Sequence, residues 1–280
     1  MNARQKRKIE NIIALSLSTA AAGFGIFWLL FIVSDVLMHG VAGFSAALFL
    51  SDPVPAGVEG GGLRNAFVGQ LMIISVAALI GVPVGLLGGT FLAEYARGRQ
   101  IARIISVLAD IMVSVPSIII GTFVYAILVK PLGHFSGWAG STALAMIMIP
   151  VVLRTTEDML TLVPWTLREA AFALGAPYYK VIFQVVYRGA ATGILTGILL
   201  SIARVVGETA PLLFTSFNNA FFSVDMNGPM PSLTVSIFQY AMGPYDDWHA
   251  QAWAAAFVIT LAILVVTVVS RMIIQWRYKK

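Results

Sequence analysis

The stretch Leu162-Val-Pro-Trp-Thr-Leu-Arg168-Glu169-Ala170-Ala171-Phe-Ala-Leu-Gly175-Ala-Pro-Tyr-Tyr-Lys180-Val-Ile-Phe carries charge between two long apolar segments. Thr166 has the side chain of a helix N-cap, and Glu169, three residues on, completes the pattern of a capping box. Glu169-Ala-Ala-Phe-Ala-Leu is a run of good helix formers, and Gly175 suits the left-handed residue that follows a helix C-terminus. Pro177, favoured in a first turn, predicts a second helix. The stretch therefore predicts a short helix–turn–helix. An ordinary amphipathic connector would read the same way, and these rules alone leave the two readings open.

Outward from this loop the chain is apolar. Of its 280 residues 59% are hydrophobic, 11% are charged, and the mean hydropathy is +0.87. An average soluble domain is about a quarter charged. A polar shell over a soluble core cannot be built from 18 Lys and Arg and 13 Asp and Glu. A soluble enzyme, a nucleic-acid-binding module and a disordered scaffold are excluded. With no cysteine there are no disulfides, thiolate metal sites or cysteine nucleophiles. The net charge of +5 and pI near 9.6 read as membrane topology, because the basic residues sit at the ends of apolar segments.

At about 20 residues per span, six apolar segments qualify: 12–34, 66–93, 104–129, 140–160, 190–216 and 253–274. The first follows the basic opening Arg4, Lys6, Arg7 and Lys8, and it is too long for a cleaved signal segment, so a retained span is expected. Arg97, Arg99 and Arg103, then Arg168, Lys180 and Arg188, then Arg271, Arg277, Lys279 and Lys280 fall on one side. Asp35, Asp52, Glu59, Asp225, Asp246 and Asp247 fall on the other. The positive-inside rule makes the basic side cytoplasmic. The expectation is an all-α integral membrane protein, one transmembrane domain over 1–280, with both termini and the loop 163–188 in the cytoplasm. The outer segments 35–65 and 217–248 contain short apolar pieces, Gly43–Leu50 and Pro231–Met242, that are interfacial or re-entrant by length.

Span 190–216 contains Arg204 and Glu208, four residues apart and so on one helix face. A charge near the bilayer centre costs about 2.5–3.5 kcal/mol or more, so both are expected to face the protein interior or water. Gly207 and Pro211 favour a kink beside them, with Thr209 between. A packing ion pair is one reading. The other is a pathway in which Arg204 attracts an anion while Glu208 steadies it, since a planar cationic fork suits oxyanions such as phosphate. Asp110 and Arg154 are weaker candidates. Asp110 lines a cavity or bonds for packing, and Arg154, near Glu157 and Asp158, marks a span end or the pathway. His39, His134 and His249 lack metal-ligand spacing, and no Gly-x-x-x-x-Gly-Lys-Ser/Thr phosphate loop occurs.

Glu169-Ala170-Ala171 followed by Gly175 resembles the EAA loop of ABC-importer permeases, although Val185-Val186-Tyr187-Arg188 departs from the end of that pattern. Ala203-Arg204-Val-Val-Gly207-Glu208-Thr209-Ala210-Pro211-Leu212-Leu213-Phe214 closely resembles the PstA-type permeases of bacterial phosphate importers, and the likeness continues through Asp225-Met226, Ile237-Phe238 and Ala241-Met242. The resemblance implies a type I ABC-importer permease fold in the bacterial cytoplasmic (inner) membrane. It implies a coupling role for Glu169, Ala170, Ala171 and Gly175 against a cytoplasmic ABC ATPase dimer, and phosphate translocation by Arg204 and Glu208. The further implied partners are a second related permease subunit, making a heterodimer, an extracytoplasmic phosphate-binding protein, inorganic phosphate and membrane lipids, with no nucleic acid. The chain would catalyse nothing and bind no cofactor or metal, ATP and Mg belonging to the ATPase. A permease for another oxyanion or small solute, or an ion-coupled secondary transporter, are the alternatives.

Overall fold

The computed structural model describes residues 3–55, 57–58 and 60–278. Glu59, Lys279 and Lys280, assigned above to the two sides, lie outside the described residues, as do the side chains of Arg271, Trp276 and Arg277. Helices α1 (Ala3–Ala42), α2 (Ala46–Leu50) and α3 (Arg64–Thr90) open the chain. A π-helical turn at Phe91–Tyr95 follows, then α4 (Gln100–Ser114), α5 (Ser117–Val124), a second π turn at Tyr125–Val129, α6 (Lys130–Leu132) and α7 (Gly137–Thr161). The loop helix α8 (Trp165–Ala173) leads to α9 (Tyr178–Lys180), a third π turn at Val181–Val186 and α10 (Tyr187–Val206). Last come α11 (Ala210–Thr215), α12 (Leu233–Ala241) and α13 (Asp246–Tyr278). Among the described residues, five helical stretches are long and apolar enough to cross a membrane, and the bent pair Gln100–Ser114 and Ser117–Leu132 makes a sixth if counted as one span.

That pair differs from the straight span expected over 104–129. It bends by 102°. The cause is local: proline disfavours helical geometry in the residue before it and has no N–H to continue the ladder. Val115 accordingly lies extended at φ −68°, ψ 130°, ahead of Pro116.

The helix that carries Arg204 also differs from its sequence-based bounds. It runs without interruption from Tyr178 to Val206, so it starts within the expected loop and ends before the expected limit of 216. Hydropathy marks the bilayer-facing part of a helix, not its length, and Pro177 supplies an extended start at φ −67°, ψ 152°.

The centre of the fold is α3 against α7. Gly81, Gly85 and Gly89, one turn apart on α3, are buried against Met148, Val152 and the Leu153–Thr156 backbone and side chains of α7. Small residues at this spacing let two membrane helices approach closely. Around this seam Ile73, Ala77, Leu144, Met148, Val205, Leu212 and Val235 form one apolar cluster. α1 stands apart and meets α13 near its end, where Gly40 abuts Trp253 and Phe257 and the His39 ring stacks on Trp253 at 4.9 Å.

The two groups of loops separate by end. Asp52 pairs with Arg64, Asn65 Nδ2 donates to the Asn219 carbonyl, and Gln251 Nε2 donates to the Gly60 carbonyl, gathering the segments expected outside. Glu94, Arg168 and Tyr178 join the segments expected inside.

Candidate functional site

The helix bearing Arg204 stops at Val206. Gly207, Glu208 and Thr209 belong to no helix, and α11 begins at Ala210 with Pro211 in its first turn, where its missing N–H costs nothing. The break expected beside the charges is therefore present. Arg204 Nε and Glu208 Oε1 stand 3.9 Å apart, an ion pair without a hydrogen bond. Glu208 is largely covered, with 17% of its side chain open, whereas Arg204 is 45% open. A cation held loosely by one carboxylate keeps its guanidinium free for another oxyanion. The pair does not have the geometry of a rigid packing bridge.

The backbone of the break is satisfied by neighbours. The Arg204 and Val205 carbonyls accept from the Gly207 and Glu208 N–H groups, each at 3.2 Å. Gln70 Nε2 of α3 donates to the Val206 carbonyl at 2.9 Å, and Thr234 Oγ1 of α12 donates to the Glu208 carbonyl at 2.9 Å. The Thr209 carbonyl accepts from Leu212 and Leu213. Gln70 did not figure in the reading of the sequence. Its signal there was a lone amide inside an apolar span, which is rare unless it has a task.

Asp110 and Arg154 are brought together across α4 and α7. Arg154 Nε donates to Asp110 Oδ1 at 2.8 Å and Arg154 Nη1 to Glu157 Oε2 at 2.8 Å, with Ser106 Oγ 3.5 Å from Glu157 Oε1. Arg154 is thus paired with two carboxylates, which makes this cluster a bridge between α4 and α7.

The loop reading holds in outline and fails at one cap. α8 starts at Trp165 with Pro164 in the N-cap position and no side-chain cap bond, so Thr166 lies inside the first turn and the capping box does not form. Pro164 sets the start because its own conformation, φ −58°, ψ 139°, is extended. The C-terminus follows expectation. Gly175 has φ +78°, its N–H bonds the Phe172 carbonyl at 2.9 Å, and Ala176 N–H bonds the Ala171 carbonyl at 3.1 Å. This is the paired bonding of a Schellman motif.

Glu169 and Ala170 are exposed and Ala171 is half-buried. Trp165, Leu167, Phe172 and Leu174 are exposed as well, leaving α8 with an apolar outer surface. Its inner anchor is Arg168, treated in the sequence only as a topology charge. Arg168 is 2% exposed, donates to the Val163 and Leu160 carbonyls at 2.6 and 2.9 Å, and pairs with Glu94 Oε1 at 2.6 Å. Tyr178 Oη donates to the Glu94 carbonyl at 2.8 Å. Among the described residues no group of His, Cys, Asp and Glu could hold a metal ion.

The chain is similar to known proteins along most of its length. The family of binding-protein-dependent transport system inner membrane components matches residues 81–278. The phosphate transport system permease protein PstA of Pasteurella multocida is 50% identical over 98% of this chain and 97% of its own length. The proteins of that name from Yersinia pestis and Haemophilus influenzae are 47% and 49% identical, covering 98% and 96% of this chain and 94% and 95% of theirs. Among solved structures, the inward-facing MetNI methionine ABC transporter aligns with a TM-score of 0.60 and 20% identity, over 76% of this chain and 94% of that one, a likeness of fold. With the family matched across both the central helices and the loop, and relatives of about half identity along nearly the whole length, the chain belongs to the binding-protein-dependent transport system inner membrane components, the permease subunits of ABC importers.

Proposed function

We propose that this chain is a transmembrane permease subunit of an ATP-driven importer of inorganic phosphate. The observation that carries the reading is 50% identity, over 98% of the chain, to a phosphate transport system permease. The chemistry of the break supports it. Arg204 offers a planar, permanently charged fork that matches a phosphate oxyanion, and Glu208 at 3.9 Å leaves that fork partly unsatisfied. Arg204 is open to one side of the single chain, which suits a pathway completed by a second, related permease subunit.

Import of an anion needs a drive, since each negative charge entering an inside-negative cell costs about 2.3 kcal/mol per 100 mV. A separate cytoplasmic ATPase dimer, holding ATP and Mg, would press on the apolar outer surface of α8 around Glu169–Gly175. Because Arg168 is bonded to Glu94 and to the end of α7, and Tyr178 to Glu94, a push on α8 is delivered to α3, α7 and the helix bearing Arg204 together. Reorientation of these helices about the break gives alternating access. An extracytoplasmic phosphate-binding protein would load the outer side, and both termini would be cytoplasmic.

The test is co-purification with co-expressed partner subunits and reconstitution into liposomes. ATP hydrolysis stimulated by phosphate-loaded binding protein is expected. Stimulation by a sulfate-loaded counterpart alone would reassign the substrate, and uptake by this chain alone on an ion gradient would overturn the ATP-driven reading.

A further inference from the structure

We infer that Gln70 is a positioning residue for anion passage, setting the geometry of the break between Arg204 and Glu208 without touching the anion; the inference rests on the transport reading above. Gln70 lies on α3, is 5% exposed, and uses both ends of its amide on backbone groups that helix termini leave orphaned. Nε2 donates to the Val206 carbonyl, in the last turn before the break, at 2.9 Å. Oε1 accepts from the Leu233 N–H, the first residue of α12, at 3.1 Å. The two demands are opposite, one acceptor and one donor, and the amide meets them from two separate atoms of one side chain.

The close approach is built in by the neighbouring residue. A Cβ on Gly69 would stand 2.1 Å from the Pro231 carbonyl, so only glycine lets the segment entering α12 lie against α3 here. Thr234, on the same helix start, then reaches the Glu208 carbonyl at 2.9 Å. The break is thus tied from α3 at Val206 and from α12 at Glu208, on either side of Gly207. Arg204 belongs to the α10 side and Glu208 to the unwound side, so these two ties fix their separation. Gln70 itself is packed beside the apolar cluster of Ile73, Val205, Met230 and Val235, where an unpaired polar group is costly.

Gln70→Met keeps the length of the side chain and removes both bonds. The test compares it with wild type and with Asn65→Leu in the reconstituted complex. Asn65 is also a buried polar residue of α3, but it bonds the Asn219 carbonyl and does not touch the break. Turnover is measured per assembled complex, together with the phosphate concentration giving half-maximal stimulation. Gln70→Met is expected to lower maximal phosphate uptake per assembled complex about tenfold, equivalent to about 1.4 kcal/mol, with half-saturation within about twofold, since the anion is still collected by the binding protein. Asn65→Leu is expected to change only the amount of complex. Wild-type turnover in Gln70→Met, or an equal fall per complex in both variants, overturns the positioning role. If Gln70→Met does not assemble, Gln70→Asn, whose amide is one methylene too short to hold Val206 and Leu233 together, takes its place, with a fall in the same direction expected and the same results overturning it. A wild-type complex without phosphate-stimulated hydrolysis would instead sink the transport reading itself.

Discussion

Arg168 Nη2 lies 2.6 Å from Glu94 Oε1, in a pair whose side chains are 3% and 1% open to solvent. The same guanidinium donates to Val163 and Leu160, so one side chain ties the loop helix to the end of α7 and to the turn after α3. Removing one member of a buried pair strands the other as an uncompensated charge, at a cost of about 3–5 kcal/mol. Arg168→Met is therefore expected to lower the thermal stability of the assembled transporter sharply and to uncouple hydrolysis from uptake. Arg168→Met combined with Glu94→Leu should recover part of the stability without recovering the coupling. A melting curve for each variant, with uptake per ATP hydrolysed, checks both parts.

The glycine seam between α3 and α7 makes a graded prediction. A Cβ on Gly85 would stand 2.7 Å from Val152 Cβ, whereas one on Gly88 would stand 2.9 Å from Leu153 Cδ1, the far end of a flexible side chain. Overpacking against a fixed atom costs about 1–3 kcal/mol. Gly85→Ala is expected to lower the melting temperature of the complex clearly and Gly88→Ala only slightly. Gly85→Ala with Val152→Ala should recover only part of the loss, because it removes the Val152 Cγ1 contact at 2.9 Å and leaves the Cβ at 2.7 Å and the Ile149 carbonyl at 3.0 Å in place.

The long apolar helices and the positions of the short helices α2 and α12 were legible because apolar length separates a helix long enough to cross a membrane from a shorter piece. The break at Gly207–Thr209 was legible because Gly, Pro and charge coincide within a few residues. The bend at Val115–Pro116 carried a signal, the proline, that the surrounding hydropathy outweighed. Neither the Arg168–Glu94 pair nor the Gln70 bonds could be read locally. Arg168 and Glu94 are 74 residues apart, and Gln70 reaches partners 136 and 163 residues away. Hydropathy ranks such residues as exceptions within or beside a span but does not say what they meet.

Gly175 occupies the left-handed region at φ +78°, with nothing within 4 Å of a Cβ built there. A side chain would therefore meet no clash and pay only the backbone strain of that conformation, about 1–2 kcal/mol. Gly175→Ala should loosen the turn after α8 modestly, and Gly175→Asn should be milder because asparagine tolerates this region better. Co-purification with the ATPase, titrated against salt, is expected to rank wild type above Gly175→Asn and that above Gly175→Ala. Gly175→Asp adds a charge beside the apolar outer surface of α8 and should weaken the association furthest.

Arg204 separates a structural from a transport role most directly. Its ion pair with Glu208 is loose at 3.9 Å and the arginine is 45% open, so the pair ties the chain together less than the buried Arg168–Glu94 pair does. If Arg204 draws the anion as proposed, Arg204→Gln leaves the assembled complex in the membrane and abolishes phosphate uptake, because the permanent charge is gone. Arg204→Lys keeps the charge but loses the planar fork, and should retain partial uptake with poorer discrimination between phosphate and sulfate. Glu208→Gln leaves Arg204 without its steadying charge; uptake should fall less than in Arg204→Gln, since the cation remains. The measurement is labelled phosphate entering reconstituted vesicles, normalised to assembled complex. Undiminished uptake by Arg204→Gln would take Arg204 out of the pathway and leave its charge a matter of helix packing.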